Sequence, residues 1–485
     1  LDKLIIILYT IPLLFVFCYS LIQLDLVRLY LLAHRKIQSI SANNQSSQPF
    51  ITIQLPIFNE LYVVECLIDA VCTINYPKEC LEIQILDDST DETTEIISER
   101  IKYYQNLGFD LVHIRRNNRV GFKAGALAEG LLIAKGEFIA IFDADFLPDK
   151  TFLEKTIPYF QDTKIGMVQT HWTHLNRNFS MITDLQAFGL DAHFSVEQVG
   201  RNFGGHFINF NGTAGIWRKN TINDAGGWSA DTLTEDLDLS YRAQLKGWKF
   251  HYLEALASPA ELPIEMNALK TQQRRWSKGA AECARKHLWN VLKATNISFT
   301  TKIHAFFHLL NSAAFICMLT LSVLSVAIQS NVKSSNQYHF YFQLIGFFQI
   351  SLVFLAIFYW FGNRKFVHFA VFLIKFPLFL SFMMGLSLHN SLAVLEGYFG
   401  RKTPFVRTPK FNIVNQSTSW TSNKYLSGTI SSLTIIELFL MLFFGWASWR
   451  DWQFQDYQLM FFHTMFTFGF ASVSLLSIFH QLIRK

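Results

Sequence analysis

Residues 138–145 read FIAIFDAD, a short apolar run that closes on two carboxylates, Asp143 and Asp145. Such a run suits a strand buried on both faces. Three more Ile/Leu/Val/Phe-rich runs lie upstream, at 51–58, 81–87 and 111–114, with helical stretches near 60–74, 92–106 and 122–135 between them. Strand–helix alternation at this spacing predicts a parallel sheet covered on both faces. In such sheets ligands bind beyond the carboxyl ends of the strands. Here that edge is acidic, because Asp87–Asp88 closes one run and Asp143–Ala144–Asp145 closes another.

A strand-end carboxylate beside a crevice can hold a divalent cation through hard oxygen ligands, and the cation can neutralise a diphosphate. No glycine-rich phosphate loop is present: GFKAG at 121–125 matches neither the dinucleotide fingerprint nor the P-loop. A metal clamp with Lys123 as an added cation can take its place. Taken singly, a strand-end Asp also serves as a turn residue or a helix cap. Two further motifs lie downstream. Thr234–Glu235–Asp236 follows a Gly/Trp turn and opens a helical run over 237–244, which also reads as a helix N-terminus. In Gln272-x-x-Arg275-Trp276, within an amphipathic segment at 264–291, the named residues share one helical face. A basic interfacial helix with a Trp anchor is the alternative there.

The composition surrounds this acidic sheet with membrane. Of the 485 residues, 51% are hydrophobic and 16% charged, with 48 Phe. That excludes a disordered, collagen-like or disulfide-scaffold chain, and a net charge of +5 gives no reason to expect nucleic acid. The six Cys show no CxxC pair and no metal-ligand spacing, and read as reduced thiols. Runs at 4–24, 303–332, 334–363, 366–395, 425–449 and 457–483 hold at most one Asp, Glu, Lys or Arg each, giving up to six spans. The run at 366–386, broken by Lys375 and Pro377, can also be re-entrant or interfacial. Basic residues after the first span and before the second place the region between them in the cytoplasm. Lys375 and Glu437, inside apolar runs, stand as channel-lining residues or as structural pairs. Residues 386–400 read as an amphipathic helix on the cytoplasmic surface.

The four motifs in this order, followed by spans, resemble the D, DxD, TED, QxxRW signature of processive family-2 membrane glycosyltransferases, which include cellulose, hyaluronan and chitin synthases. The wording is most similar to the cellulose-synthase-like A branch (β-mannan and glucomannan synthases) and its bacterial relatives. The stretches that carry this are LDDSTDE at 86–92, GFKAGALAEGL at 121–131, FDADFL at 142–147, NGTAGIWR at 211–218 and TQQRRWSKGA at 271–280. FVRTPK at 405–410 is similar to the FxVTxK gating loop of cellulose synthase, with Arg407 in place of the usual Val.

The resemblance implies an α/β, GT-A-like domain with a mixed or parallel sheet, set between an N-terminal transmembrane helix and a C-terminal bundle. The expected divisions are a first span at 1–36, a linker at 37–49 and the transferase domain at 50–260. Interfacial helices at 261–300, spans and interfacial helices at 301–400, a gating-like loop at 401–424 and two last spans at 425–485 follow. It implies donor contacts from Asp87, Asp88 and Lys123, with Asp143 and Asp145 holding Mg²⁺ or Mn²⁺. Asp236 is the expected general base, with Glu235 beside it. Gln272, Arg275 and Trp276 hold the acceptor and diphosphate, and Thr408 and Lys410 belong to the gating loop. His171 is a lesser candidate or a structural histidine.

The implied activity is inverting transfer of hexose from UDP-glucose or GDP-mannose onto a growing β-linked glycan, of β-1,4-glucan or mannan type, with translocation across the bilayer. Transfer of a single sugar to a lipid is the alternative. A non-catalytic subunit is disfavoured because every carboxylate the chemistry needs is present. The expected setting is a bacterial inner or plasma membrane, or the Golgi for a plant-like protein, with the catalytic domain cytosolic. No cyclic-dinucleotide domain follows the last apolar run, so regulation is expected from a separate accessory subunit.

Overall fold

The computed structural model describes residues 2–36, 48–331, 338–413, 420–421, 423–426 and 430–483. Most of the expected linker, part of the 401–424 loop and Lys333 lie outside the described residues. The four expected strands form as β1 (Ile51–Ile57), β2 (Leu81–Asp87), β3 (Asp110–Arg115) and β4 (Phe138–Ile141). They pair in parallel in the order β3-β2-β1-β4. β2 is buried throughout and β1 everywhere except Pro56, and their polar residues pair across the two strands, Thr52 with Glu82 at 2.6 Å and Gln54 with Gln84 at 2.9 Å. Helices Val64–Cys72 and Thr93–Asn106 pack on one face, and Phe122–Ile133 packs on the other.

Three further strands, which the apolar-run signal missed, carry the sheet to seven. They are β5 (Ile165–His174), β6 (Gly215–Arg218) and β7 (Lys249–Ala260), and the order becomes β3-β2-β1-β4-β6-β5-β7. β6 runs antiparallel to both its neighbours, so the sheet is mixed. β6 has only four residues, and polar or charged positions such as Gln169, His171, His251 and Glu254 interrupt the other two. The chain builds outward from β1 to β3, then returns to lay β4 on β1's other side. That reversal opens a crevice at the carboxyl ends of β1 and β4.

Among the described residues four helices are long and apolar enough to cross a membrane: Asp2–Arg35, Ile345–Asn363, Ser432–Gln453 and Tyr457–Leu482. Two bent pairs raise the count to six if each is one span. These are Phe299–Leu309 with Ala313–Gln329, bent by 64°, and Phe369–Gly385 with Ser387–Tyr398, bent by 52°. The first helix has 34 residues, a length of about 51 Å against about 30 Å of hydrocarbon. Its surplus packs Leu26, Val27 and Tyr30 against Ala192 and Val196 of the sheet domain.

The two ionisable groups inside apolar runs are both paired. Lys375 Nζ lies 2.6 Å from Asp184 Oδ2, on the helix Met181–Ala192 of the sheet domain. Glu437 accepts from buried Lys270 at 2.6 Å. Of the two expected roles, the structural pairing is the one these contacts support. The segment Ser387–Tyr398 lies against the helix Met266–Lys293 rather than on an open surface. A Cβ at Gly397 would meet the Ala281 side chain at 2.7 Å, which is why the contact needs glycine.

Candidate active site

The crevice has two lobes that meet at the Asp143-x-Asp145 pair. One, of about 690 Å³, is lined by Phe58, Glu60, Asp88, Arg119, Arg407 and Thr408. The other, of about 770 Å³, is lined by Asn211, Gly212, Glu235, Asp236, Gln272 and Trp276. Lys123, Asp143, Asp145, Arg275, Phe405 and Lys410 border both lobes.

Asp143 and Asp145 follow the end of β4 in a tight turn closed by the Phe146 N–H on the Asp143 carbonyl at 3.0 Å, and both line the crevice. Each meets a lysine. Lys123 Nζ donates to Asp143 Oδ1 at 2.5 Å and to the Gly212 carbonyl at 2.9 Å. Lys410 Nζ lies 2.5 Å from Asp145 Oδ2, although 265 residues separate the two in the chain. The backbone N–H of Asp143 donates to Thr213 Oγ1 at 2.8 Å, which fixes the turn.

The two acids at the end of β2 divide differently. Asp88 faces the first lobe and is gripped by Arg116, whose Nε donates to Oδ1 at 2.8 Å and whose second nitrogen meets Oδ2. Arg116 also holds the Val120 and Phe122 carbonyls, so this pair shapes the loop before Lys123. Asp87 points into the protein, contrary to its expected donor contact. Its buried carboxylate accepts from the Ser89 N–H at 2.8 Å and Thr94 Oγ1 at 3.0 Å, and contacts His113 Nε2 at 3.0 Å. Those bonds to its ionised form hold its pKa below the usual range despite burial. His171 is likewise structural. It is buried, its Nδ1 meets Tyr252 Oη at 3.1 Å, and burial pushes its pKa down to about 4.

Thr234–Glu235–Asp236 opens the helix Glu235–Leu245, but the Thr234 side chain makes no capping hydrogen bond. Asp236 accepts from the Leu237 N–H at 2.8 Å, and no cation pairs with it among the described residues. Burial, reinforced by the charge of Glu235, lifts its pKa to about 7, while Lys123 and Arg275 pull the other way. Glu235 Oε1 stands 3.9 Å from Lys123 Nζ. Gly212 adopts φ +82°, and a Cβ there would come within 3.0 Å of Asp236 Oδ2, so the site needs glycine twice over.

Gln272, Arg275 and Trp276 reach the second lobe from the helix Met266–Lys293. Arg275 lies over the Phe405 ring at 5.1 Å, and Phe405 stacks on Phe122 at 5.6 Å. Residues 401–413 thus cross the mouth of the crevice. They are fixed by Lys278, which donates to the Arg401 carbonyl and Thr403, and by Glu261, which accepts the N–H groups of Phe411 and Asn412. Thr408 is buried with an unpartnered hydroxyl in the first lobe. Sequence reasoning missed Arg116, Glu60 and Arg119. Arg407 it noted only as a departure; here it grips Glu60 through Nε at 2.7 Å and a second, shorter contact. Burial lifts Glu60 to about pKa 7 even so.

A strand-end DxD beneath a lysine-bearing loop thus faces the half-buried Asp236 carboxylate across one cleft. Residues 49–279 match the family model described as Glycosyltransferase like family 2. Glucomannan 4-beta-mannosyltransferase 1 of Oryza sativa subsp. japonica is 41% identical over 268 residues, covering 54% of this chain and 51% of the relative. Glucomannan 4-beta-mannosyltransferase 9 of Arabidopsis thaliana is 40% identical over 267 residues, covering 54% and 50%. The chain spans about half the length of the curated relatives it matches. A mannosyltransferase from Pyrobaculum calidifontis, solved in complex with GDP-Man and Mn²⁺, shares the fold, with a TM-score of 0.57 over 81% of this chain and all of that one. At 17% identity that likeness speaks for the GT-A-like fold alone.

Proposed function

We propose that this chain is an inverting glycosyltransferase that polymerises hexose from a nucleotide sugar into a β-linked glycan and passes it into its own helix bundle. The observation that carries the reading is the placement of Asp236, a half-buried carboxylate with no cation partner among the described residues and a pKa pushed up to about 7, across one cleft from the Asp143-x-Asp145 pair. At neutral pH such a group can take a proton from the attacking hydroxyl. The relatives' printed activity, transfer of mannose in β-1,4 linkage to glucomannan, favours GDP-mannose over UDP-glucose as the donor.

The nucleoside diphosphate belongs in the first lobe, with Arg275 and Lys123 facing the departing charge. Asp143 and Asp145 fit a divalent ion: both are carboxylates at the crevice, and two lysines already balance their charge. Mg²⁺ or Mn²⁺, when bound, would supply a Lewis acid for the diphosphate oxygens. Lys123 and Lys410 then become free to meet phosphate. Trp276 offers an apolar face to an acceptor sugar, and Gln272 a hydrogen-bonding amide. The catalytic domain lies on the cytosolic side in this reading, where nucleotide sugars are made.

The test uses membranes containing the protein, with Mg²⁺ or Mn²⁺ and radiolabelled UDP-glucose or GDP-mannose. High-molecular-weight product sensitive to one linkage-specific glycanase is expected. Label confined to the organic-extractable lipid fraction would instead make this a single-sugar lipid transferase.

A further inference from the structure

The segment NGTAGIWR at 211–218 has no role in the reading above beyond the backbone of Gly212 and Thr213, yet Asn211 lines the second lobe. Its amide oxygen is occupied by the protein: it accepts from Asn209 Nδ2 at 2.8 Å and faces His193 Nε2 at 3.3 Å. Its backbone N–H donates to Gln169 Oε1 at 3.0 Å. The amide nitrogen makes one contact among the described residues, a long one of 3.5 Å to the Asn209 carbonyl. With its oxygen held and one N–H turned to the Asn209 carbonyl, the amide leaves an N–H donor for the cleft.

His193 is itself held. It opens one π-helical turn, His193–Glu197, between the helices Met181–Ala192 and Gln198–Phe203. Such turns inside longer helices often mark functional positions. Glu197 fixes the ring through Nδ1 at 2.9 Å, and Arg201 holds Glu197 at 3.0 Å. Arg201 is 2% exposed and donates to the His304 carbonyl at 3.2 Å. The imidazole thus stands on a buried ion pair anchored in the helix that leads toward the membrane.

Resting on the glycosyl-transfer reading of this cleft, we propose that Asn211 is an acceptor-specificity residue. Its N–H donor binds a hydroxyl of the acceptor sugar next to the one that attacks, and His193 acts as a positioning residue through Asn211. Two placements support this, together with the base role proposed for Asp236. Asn211 borders the lobe that holds Asp236 and Trp276 and does not border the first lobe. Gly212, its neighbour, lies against the Asp236 carboxylate. The attacking hydroxyl is committed to Asp236, so an adjacent hydroxyl is the group whose oxygen can accept from Asn211. Whether that hydroxyl points toward Asn211 differs between sugars of different configuration, which makes the contact selective.

The experiment measures initial rates with whichever of GDP-mannose and UDP-glucose supports transfer, using β-1,4-linked mannotetraose and cellotetraose as acceptor probes. Asn211→Ala and the isosteric Asn211→Asp should each raise the acceptor KM about three- to tenfold, as loss of a neutral hydrogen bond does. The donor KM should stay unchanged. His193→Phe should raise the acceptor KM less, and adding it to Asn211→Ala should change nothing further, because its effect runs through Asn211. Unchanged acceptor KM in both Asn211 variants would overturn the assignment, and full additivity in the double variant would overturn the positioning role. If the unmodified protein transfers sugar to neither probe nor any endogenous acceptor, the glycosyl-transfer reading itself fails, which is a separate result.

Discussion

The two lobes of the crevice differ in how their charges are matched. On the first side every carboxylate already has a cation: Asp88 has Arg116, Glu60 has Arg407, Asp145 has Lys410 and Asp143 has Lys123. On the second side Asp236 has none, and Glu235 beside it adds like charge. The first arrangement suits a highly charged ligand, which can enter by exchanging partners instead of by creating new charges. The second suits a proton acceptor, since a poorly solvated carboxylate beside a like charge and without a cation binds protons avidly. In the proposed function the balanced half takes the nucleotide and the unbalanced half the hydroxyl.

Removing the unbalanced group should have the largest effect. Asp236→Asn is expected to lower transfer about a hundred- to ten-thousand-fold while nucleotide binding persists, read by product radiolabel and by calorimetric titration of the nucleoside diphosphate. The same change should stabilise the protein. With its folded pKa near 7 and a lower unfolded value, Asp236 contributes stability below about pH 4 that is lost as pH rises through 7. The Asn variant should therefore melt higher than the parent at pH 8, with the gap closing toward pH 5. A variant that melts lower at pH 8 would mean that Asp236 is not strained there.

Next in size is the balanced half. Chelation of divalent ions, or Asp145→Asn, should reduce transfer about a hundredfold or more. Added Mg²⁺ or Mn²⁺ should rescue the chelated protein but not the variant. Equal activity before and after chelation would show that the two lysines suffice as counter-charges.

A smaller effect concerns pH. Transfer should fall about tenfold per unit below about pH 7, as the base takes up its proton. Glu235→Gln should move that acidic limb to lower pH, because it removes the like charge nearest Asp236. An unmoved limb would assign the profile to another group.

The smallest change is expected from Arg407→Val, which restores the residue usual in the gating motif. It should leave kcat within about threefold, yet speed proteolytic cleavage within 401–413 several-fold, since the loop loses its grip on Glu60. Cleavage at the original rate would show that Lys278 and Glu261 hold the loop unaided.

What was legible in the sequence follows the same division. The Ile/Leu/Val/Phe-rich runs of β1 to β4 and the acids that close them could be read because helical stretches separate them at regular spacing. Asp143 and Asp145 lie in the turn just past β4, and both face the cleft. Asp87 and Asp88 are adjacent, so alternation turns one of them inward, a consequence that a motif match does not reveal. β5 and β7 were hidden because their polar positions are satisfied by neighbours far along the chain, as Gln169 is by the Thr213 and Ala214 carbonyls. The charge partners lay beyond reach for the same reason: Arg407 and Glu60 stand 347 residues apart.

The Lys270–Glu437 pair has a practical consequence for anyone wishing to cut this molecule in two. Lys270 is 5% exposed and Glu437 fully buried, and around them Met266 and Leu269 share a cluster with Phe372, Phe376, Phe382 and Val473. A fragment ending near residue 279 would strip Lys270 of its counter-ion and open a greasy seam to water. The sheet domain and the bundle therefore share one sealed seam, and a fragment cut there is expected to need detergent or lipid to stay in solution.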